Sequence, residues 1–214
     1  MRNLKKDAIE MAARREAILR EGFRLFAERS IVTVKMTDIA KAAGIGIATL
    51  YRYYPNKTDL VVAISADQWS RFMADAAVFS NDFSLDEKTA AECFGYYLDQ
   101  FILLYRNYKE LLRFNQDFNS YVRFENVDQE RLMPYFKVIE EVKSGVHTIY
   151  EKARFDGTLS TELTEEQLFT FVLHIMLAAV TRYAVGLVYE GGNDPESELV
   201  LLRDILVNKF TAKR

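Results

Sequence analysis

Cysteine is almost absent from this sequence, and proline, glycine and histidine are scarce: one, three, nine and two among 214 residues. A lone thiol, Cys93, excludes an internal disulfide framework and gives no cysteine pair for a metal. Its apolar neighbours mark it as a buried, inert thiol. So few prolines and glycines argue against a β-sandwich, which needs turn residues between many short strands, and favour long helices. The opening stretch MRNLKKDAIEMAARREAILR is charged throughout and lacks a secretory pattern. The longest apolar run, Leu168 to Val180, is broken by Thr170 and His174 and falls short of the roughly 20 residues that cross a bilayer. These lacks predict a cytoplasmic chain with no membrane partner. Catalytic signatures are missing too: there is no nucleophile motif, no phosphate loop and no carboxylate pair in an apolar setting. Neither His147 nor His174 has further ligands spaced near it. The expectation is a protein that is not an enzyme and uses no metal and no cofactor.

What is present is apolar mass and an uneven charge. Half the residues are hydrophobic, enough for a sizeable core. The net charge of -3 divides sharply: residues 1–60 hold twelve Lys and Arg against seven Asp and Glu, net +5, and the remainder holds sixteen against twenty-four, net -8. A basic first quarter on an acidic body suggests a polyanion-binding module joined to something else.

Helical periodicity runs through the chain, and the predicted fold class is all-α. Ile18, Leu19, Gly22, Phe23 and Phe26 mark an amphipathic helix ending near Glu28 or Arg29. TDIAKAAG predicts a short helix closed at Gly44. GIATLYRYY predicts another, stopped by Pro55, with Asn56 and Asp59 opening the next. Polar breaks fall at SNDFSLDE and EGGNDPES. Between them lie a helix through Phe94 to Tyr108, one or two shorter helices over YKELLRFNQDFNSYV, and a long helix with Pro134 in its first turn, closed by Gly157. The capping-box pattern TEEQ at Thr164–Gln167 starts the apolar run, and ESELVLLRDILVNKF is the last helix.

The two short helices joined through AAGIG match a helix-turn-helix, in which the second helix enters the DNA major groove. Ala40 lets the helices approach, Gly44 permits a left-handed backbone at the turn, and Ile45 and Leu50 point inward. Three tyrosines follow within four positions. Tyr54 falls with Leu50 on the core side; Ile47, Ala48, Tyr51 and Arg52 fall outside, with Tyr53 between. Tyr51 and Tyr53 can then offer hydroxyls to phosphates or base edges.

The stretch TDIAKAAGIGIATLYRYYPNKTDL, with ILREGFRLFAERS before it, resembles the TetR family of bacterial transcription regulators over roughly Ala12 to Ile64. The resemblance implies a three-helix DNA-binding head plus the start of a fourth helix. It also implies a larger helical body with a ligand pocket, and a homodimer through the last two helices. Residue by residue, it implies that Thr37, Ile47, Ala48, Thr49, Tyr51, Tyr53 and Lys57 face DNA, Lys57 at a phosphate. Two positions depart from the family: Lys35 stands where a Ser or Thr cap is frequent, and Gly46 where Ser is common. Ile47 and Ala48 offer only apolar base contacts, so hydrogen-bonded readout falls to Thr49, Tyr51 and Arg52 or to the basic N-terminal arm. The expected division is a helix-turn-helix domain over 1–60 and a helical ligand-binding and dimerisation domain over 61–214.

In the body, aromatic residues recur, and buried tyrosine hydroxyls need partners. A ligand is expected against Tyr97, Phe101, Phe118, Tyr121 and His147, displacing the fourth helix. FTFVLHIMLAAVTRYAVGLVYE is too apolar for a surface helix, and with LVLLRDILVNKF it can form half of a four-helix interface about a two-fold axis. The resulting expectation is a homodimeric repressor of double-stranded operator DNA, released by a small apolar or amphipathic effector. The alternative is a DNA-bound protein whose body binds a protein partner instead of a small molecule.

Overall fold

The structure, a computed structural model, describes residues 4–81, 87–186 and 194–212. Residues 1–3 at the head of the basic arm, 82–86 in the first polar break, 187–193 at the end of the apolar stretch and in the second break, and 213–214 lie outside the described residues. Nine helices are present among those described: α1 Leu4–Glu28, α2 Met36–Ala42, α3 Ile47–Tyr53, α4 Lys57–Asn81, α5 Ala90–Asn107, α6 Lys109–Phe124, α7 Met133–Asp156, α8 Glu165–Val185 and α9 Pro195–Phe210. The YKELLRFNQDFNSYV stretch is one helix, α6. The only strand-like pairing among the described residues is an isolated bridge between Leu159 and Thr211.

The chain forms two compact units, Met1–Ser70 with Phe114–Lys137, and Arg71–Arg113 with Val138–Arg214. In the first, Ile18, Phe26, Ile39, Leu50, Leu60 and Ile64 make a common core. Each such apolar side chain contributes about 1.5–3 kcal/mol on burial. Phe114 joins the core from α6, edge-on to Phe23 at 5.6 Å between ring centroids and stacked on Phe26 at 6.3 Å. From the same helix, the Asp117 carboxylate accepts from the Ile31 backbone N–H at 2.6 Å and from the Ser30 hydroxyl at 3.3 Å. That carboxylate holds the connector after α1, where the backbone has no helical partner of its own.

In the second unit α5 is central and packs against α8 and α9. Its N-terminus is capped twice. Thr89 and Glu92 form a capping box, and the Asp156 carboxylate accepts from the Ala90 N–H at 2.7 Å. The Arg203 guanidinium of α9 makes a two-pronged pair with Asp99 of α5 at 2.9 and 3.1 Å. The TEEQ motif caps α8 as expected: Thr164 accepts from the Gln167 N–H, and the Gln167 side chain accepts in return. α8 runs to 21 residues, so by length and composition it is long and apolar enough to cross a bilayer, which corrects the shorter run expected. Its Leu168, Val172, Met176 and Val180 are buried within the unit.

Candidate nucleic-acid interface and second-unit cavity

The turn between α2 and α3 is built as the sequence requires. Gly44 has φ +68, where a side chain would be strained. The Ile45 N–H then bonds back to the Ala40 carbonyl at 3.0 Å, ending α2 and redirecting the chain into α3. Leu50 is fully buried and Tyr54 nearly so, fixing the inner face of α3. Tyr54 closes the helix in an extended conformation before Pro55. On the outer face Ile47 is 37% and Tyr51 47% exposed. Ala48 and Arg52 are exposed beside them, and Thr49 and Tyr53 are half-buried. Six of the eight residues expected to face DNA therefore lie on one seven-residue helix, with its hydrophobic side turned inward.

Thr37 is exposed in the first turn of α2. Lys35 ahead of it supplies no side-chain cap. Instead the Asp38 carboxylate accepts from the Lys35 N–H at 3.0 Å, which is half of a capping box. Gly46 likewise caps α3 with backbone alone. At the start of α4, Asn56 and Asp59 bond reciprocally: the Asn56 side-chain oxygen accepts from the Asp59 N–H at 2.9 Å, and its amide donates to the Asp59 carboxylate at 2.8 Å.

Lys57 and Tyr53 have intramolecular partners that the sequence did not reveal. The Lys57 ammonium donates to the Val32 carbonyl at 3.1 Å, and partial burial holds its pKa below the usual lysine value. It thereby ties the head of α4 to the connector after α1, and among the described residues two of its three donors are left over. The Tyr53 hydroxyl donates to the Met11 carbonyl of α1 at 3.4 Å. Tyr51, by contrast, presents its ring to solvent.

The residues expected to surround a ligand are distributed differently. Phe118 and Tyr121 belong to the first unit. Phe118 packs 5.2 Å from the Tyr135 ring, and the Tyr121 hydroxyl shares a hydrogen bond with Thr58 at 3.1 Å. In the second unit Phe101 is buried edge-on to Tyr97, centroids 5.6 Å apart. His147 faces solvent, its Nδ1 2.9 Å from the Glu165 carboxylate, and that pairing raises its pKa.

Of those five residues, Tyr97 alone lines a cavity of about 330 Å³ between α5 and α7. Cys93, Tyr96, Tyr97 and Gln100 line it from α5; Gly145, Thr148, Ile149 and Lys152 line it from α7. Its volume lies at the lower end of the range for small-molecule sites. Burial pushes the Cys93 thiol and the Tyr97 phenol up, so both are neutral at pH 7. The Tyr97 hydroxyl and the Gln100 side-chain oxygen are buried and have no hydrogen-bond partner among the described residues. The Gln100 amide orientation is set by its NH2, which donates to the Tyr96 carbonyl at 3.3 Å. Gly145 sits mid-helix in α7, and a Cβ there would meet nothing within 4 Å. Sequence reasoning passed over Gln100 and Gly145. The glycine inside an otherwise regular helical pattern was the one available signal.

Residues 18–64 match the model of the family described as bacterial regulatory proteins, tetR family. An HTH-type transcriptional regulator from Staphylococcus aureus (strain bovine RF122 / ET3-1) is 26% identical over 188 residues, covering 86% of this chain and 95% of that protein. Among solved structures, the transcriptional regulator FadR from Bacillus subtilis, in complex with stearoyl-CoA, has a TM-score of 0.69 at 16% identity, covering 90% of this chain and 97% of its own. A regulator from Saccharomonospora viridis in complex with choline has a TM-score of 0.72 at 17% identity, covering 95% and 100%. Matched head, matched length and matched helical architecture agree with the helix-turn-helix geometry: residues 18–64 form a helix-turn-helix of the tetR family, and over most of its length the chain is similar to HTH-type transcriptional regulators.

Proposed function

We propose that the chain is a homodimeric repressor that leaves a near-palindromic operator when a small apolar or amphipathic molecule enters the α5/α7 cavity. The observation that carries this reading is the cavity itself, about 330 Å³ with a mostly apolar lining from α5 and α7. Ligand complexes of two proteins with the same fold support a small-molecule effector as a class. At their low identity they do not transfer stearoyl-CoA or choline to this chain.

On this reading α3 lies in the major groove, with Ile47, Ala48, Thr49, Tyr51 and Arg52 toward the bases. Thr37, Tyr53 and Lys57 serve the phosphates. A dimer is supported by the apolar face left exposed on the last two helices. Phe171, Ala178 and Val185 share one side of α8, and Leu201 and Ile205, 56% and 55% exposed, share one side of α9. A second copy covering that face accounts for it without invoking a different protein partner, and the cavity favours a small molecule over one. Two recognition helices about a two-fold axis read half-sites one helical turn or slightly more apart. α4 contributes residues to both units, so a ligand-driven shift of α4 would change the separation of the recognition helices. A coupling of about 1.4 kcal/mol suffices for tenfold weaker operator binding. Such a repressor acts in the cytoplasm, with the DNA.

The test is a mobility-shift titration of operator DNA with a deproteinised extract of the source cells. Release of the wild-type protein but not of Gly145→Leu supports the cavity as the effector site. Equal release of both would overturn it.

A further inference from the structure

The first turn of α3 presents methyl groups where a DNA reader would be expected to carry hydrogen-bonding side chains. Gly46 caps the helix with backbone alone, Ile47 is 37% exposed, and Ala48 is exposed beside it. The polar groups around them are committed or set back. The Tyr53 hydroxyl donates to the Met11 carbonyl, the Lys57 ammonium donates to the Val32 carbonyl, and Thr49 is half-buried. Tyr51 and Arg52 are exposed, but one turn further along the helix. The head is drawn to a polyanion by its net charge of +5 over residues 1–60, and that attraction carries no base preference. In a helix-turn-helix it is the opening residues of the second helix that meet base edges. In this chain those residues are apolar.

Resting on the reading of α3 as the recognition helix, we infer that Ile47 reads a thymine in each half-site through the methyl group of that base, so that an apolar contact sets the preference beneath the first turn. The major-groove edge carries one apolar group, the thymine methyl; guanine shows two acceptors there, adenine an acceptor and a donor, and cytosine a donor. An isoleucine pressed on any of those polar groups strips its water and returns no hydrogen bond, which is unfavourable. Pressed on a methyl, it removes apolar surface from water on both sides. The flanking residues leave room for that approach. Gly46 has no side chain, and even a Cβ there would meet nothing within 4 Å. Ala48 adds a single methyl, so neither neighbour brings the bulk that would hold Ile47 off the base edges.

Base analogues separate the methyl from the hydrogen-bonding pattern around it. The operator is first selected from a random duplex pool with the purified full-length protein. Each thymine of the half-sites is then exchanged, in both half-sites at once, for uracil, cytosine or 5-methylcytosine with the pairing base matched, and affinity is read by fluorescence anisotropy. At one thymine position the methyl should strengthen binding about tenfold in both kinds of pair, thymine over uracil and 5-methylcytosine over cytosine, since one methyl contact is worth roughly three- to fivefold and the two half-sites each gain one. Ile47→Ala should shrink both ratios to about twofold, because most of the apolar partner surface is gone. Each ratio is taken within one protein, so a loss of folded protein lowers all four affinities equally and does not mimic the effect. A thymine-to-uracil ratio near one at every position would overturn the inference while leaving α3 as a helix that reads by hydrogen bonds or DNA shape. Full ratios retained in Ile47→Ala would overturn the assignment to Ile47. A pool that yields no preferred sequence would overturn the reading of α3 as the recognition helix, and the inference with it.

Discussion

Replacing Gly145 separates the cavity from the rest of the molecule. In α7 a Cβ at this position meets no atom within 4 Å, so Gly145→Ala introduces no clash. The backbone there is helical, and alanine is favoured over glycine in a helix interior by about 0.5–1 kcal/mol. For a chain of this size 1 kcal/mol shifts the melting midpoint by roughly 2–4 °C, so the alanine variant should melt about 1–4 °C higher. Leucine keeps most of the helix gain and adds a branched side chain to a cavity of about 330 Å³, which leaves too little room for a ligand that needs the whole space. The assay pairs calorimetric melting with operator titration by fluorescence anisotropy. Gly145→Leu should fold, bind operator within a few-fold of the wild type, and lose effector response. A lower midpoint for Gly145→Ala would refute the packing argument, because it would mean that the space is already filled. Normal effector release from Gly145→Leu would refute the placement of the ligand.

Three further outcomes follow from the geometry. Lys57→Ala removes a partly buried, charged donor from the Val32 carbonyl and should lower stability by about 1 kcal/mol. If Lys57 also meets a phosphate, the slope of log affinity against log salt should fall by about one, with sequence preference unchanged; an intact slope would confine Lys57 to the connector. His147 has its pKa raised by the Glu165 carboxylate, so its contribution to stability is complete below the ordinary imidazole value near 6.5 and is lost as pH rises through the higher folded value. Melts of His147→Gln and wild type should therefore differ at pH 5.5 and converge at pH 8.5, and a constant difference would contradict the pairing. Charges at Leu201 and Ile205 should yield monomers with weakened operator binding, whereas sedimentation of an unchanged dimer would place the interface elsewhere.

The head was legible because its determinants are local. A left-handed turn demands Gly44, Pro55 ends α3, and Leu50 and Tyr54 fall one helical turn apart on the buried side. What escaped were contacts between distant segments: the Asp117 carboxylate on the Ile31 N–H, the Lys57 ammonium on the Val32 carbonyl, and the Tyr53 hydroxyl on Met11. No periodicity encodes these. The cavity was harder still. An argument from aromatic stripes selects large side chains, and large side chains such as Phe101, Phe118 and Tyr121 mostly fill space instead of bounding it. The lining contributed by α7 is a glycine, a threonine, an isoleucine and a lysine, marked in sequence only by the misplaced glycine. His147 shows how sharply a helix resolves direction: Val146 before it is buried, while one step of about 100° turns His147 to solvent.

Nuclease footprinting of the wild-type protein on DNA flanking its own gene tests the central claim most directly. The account predicts two protected half-sites of inverted symmetry, separated by about one helical turn or slightly more, with protection lost when Tyr51 is replaced by alanine. Absence of any protected site, or a single asymmetric site indifferent to Tyr51→Ala, would contradict a two-fold repressor reading DNA through α3.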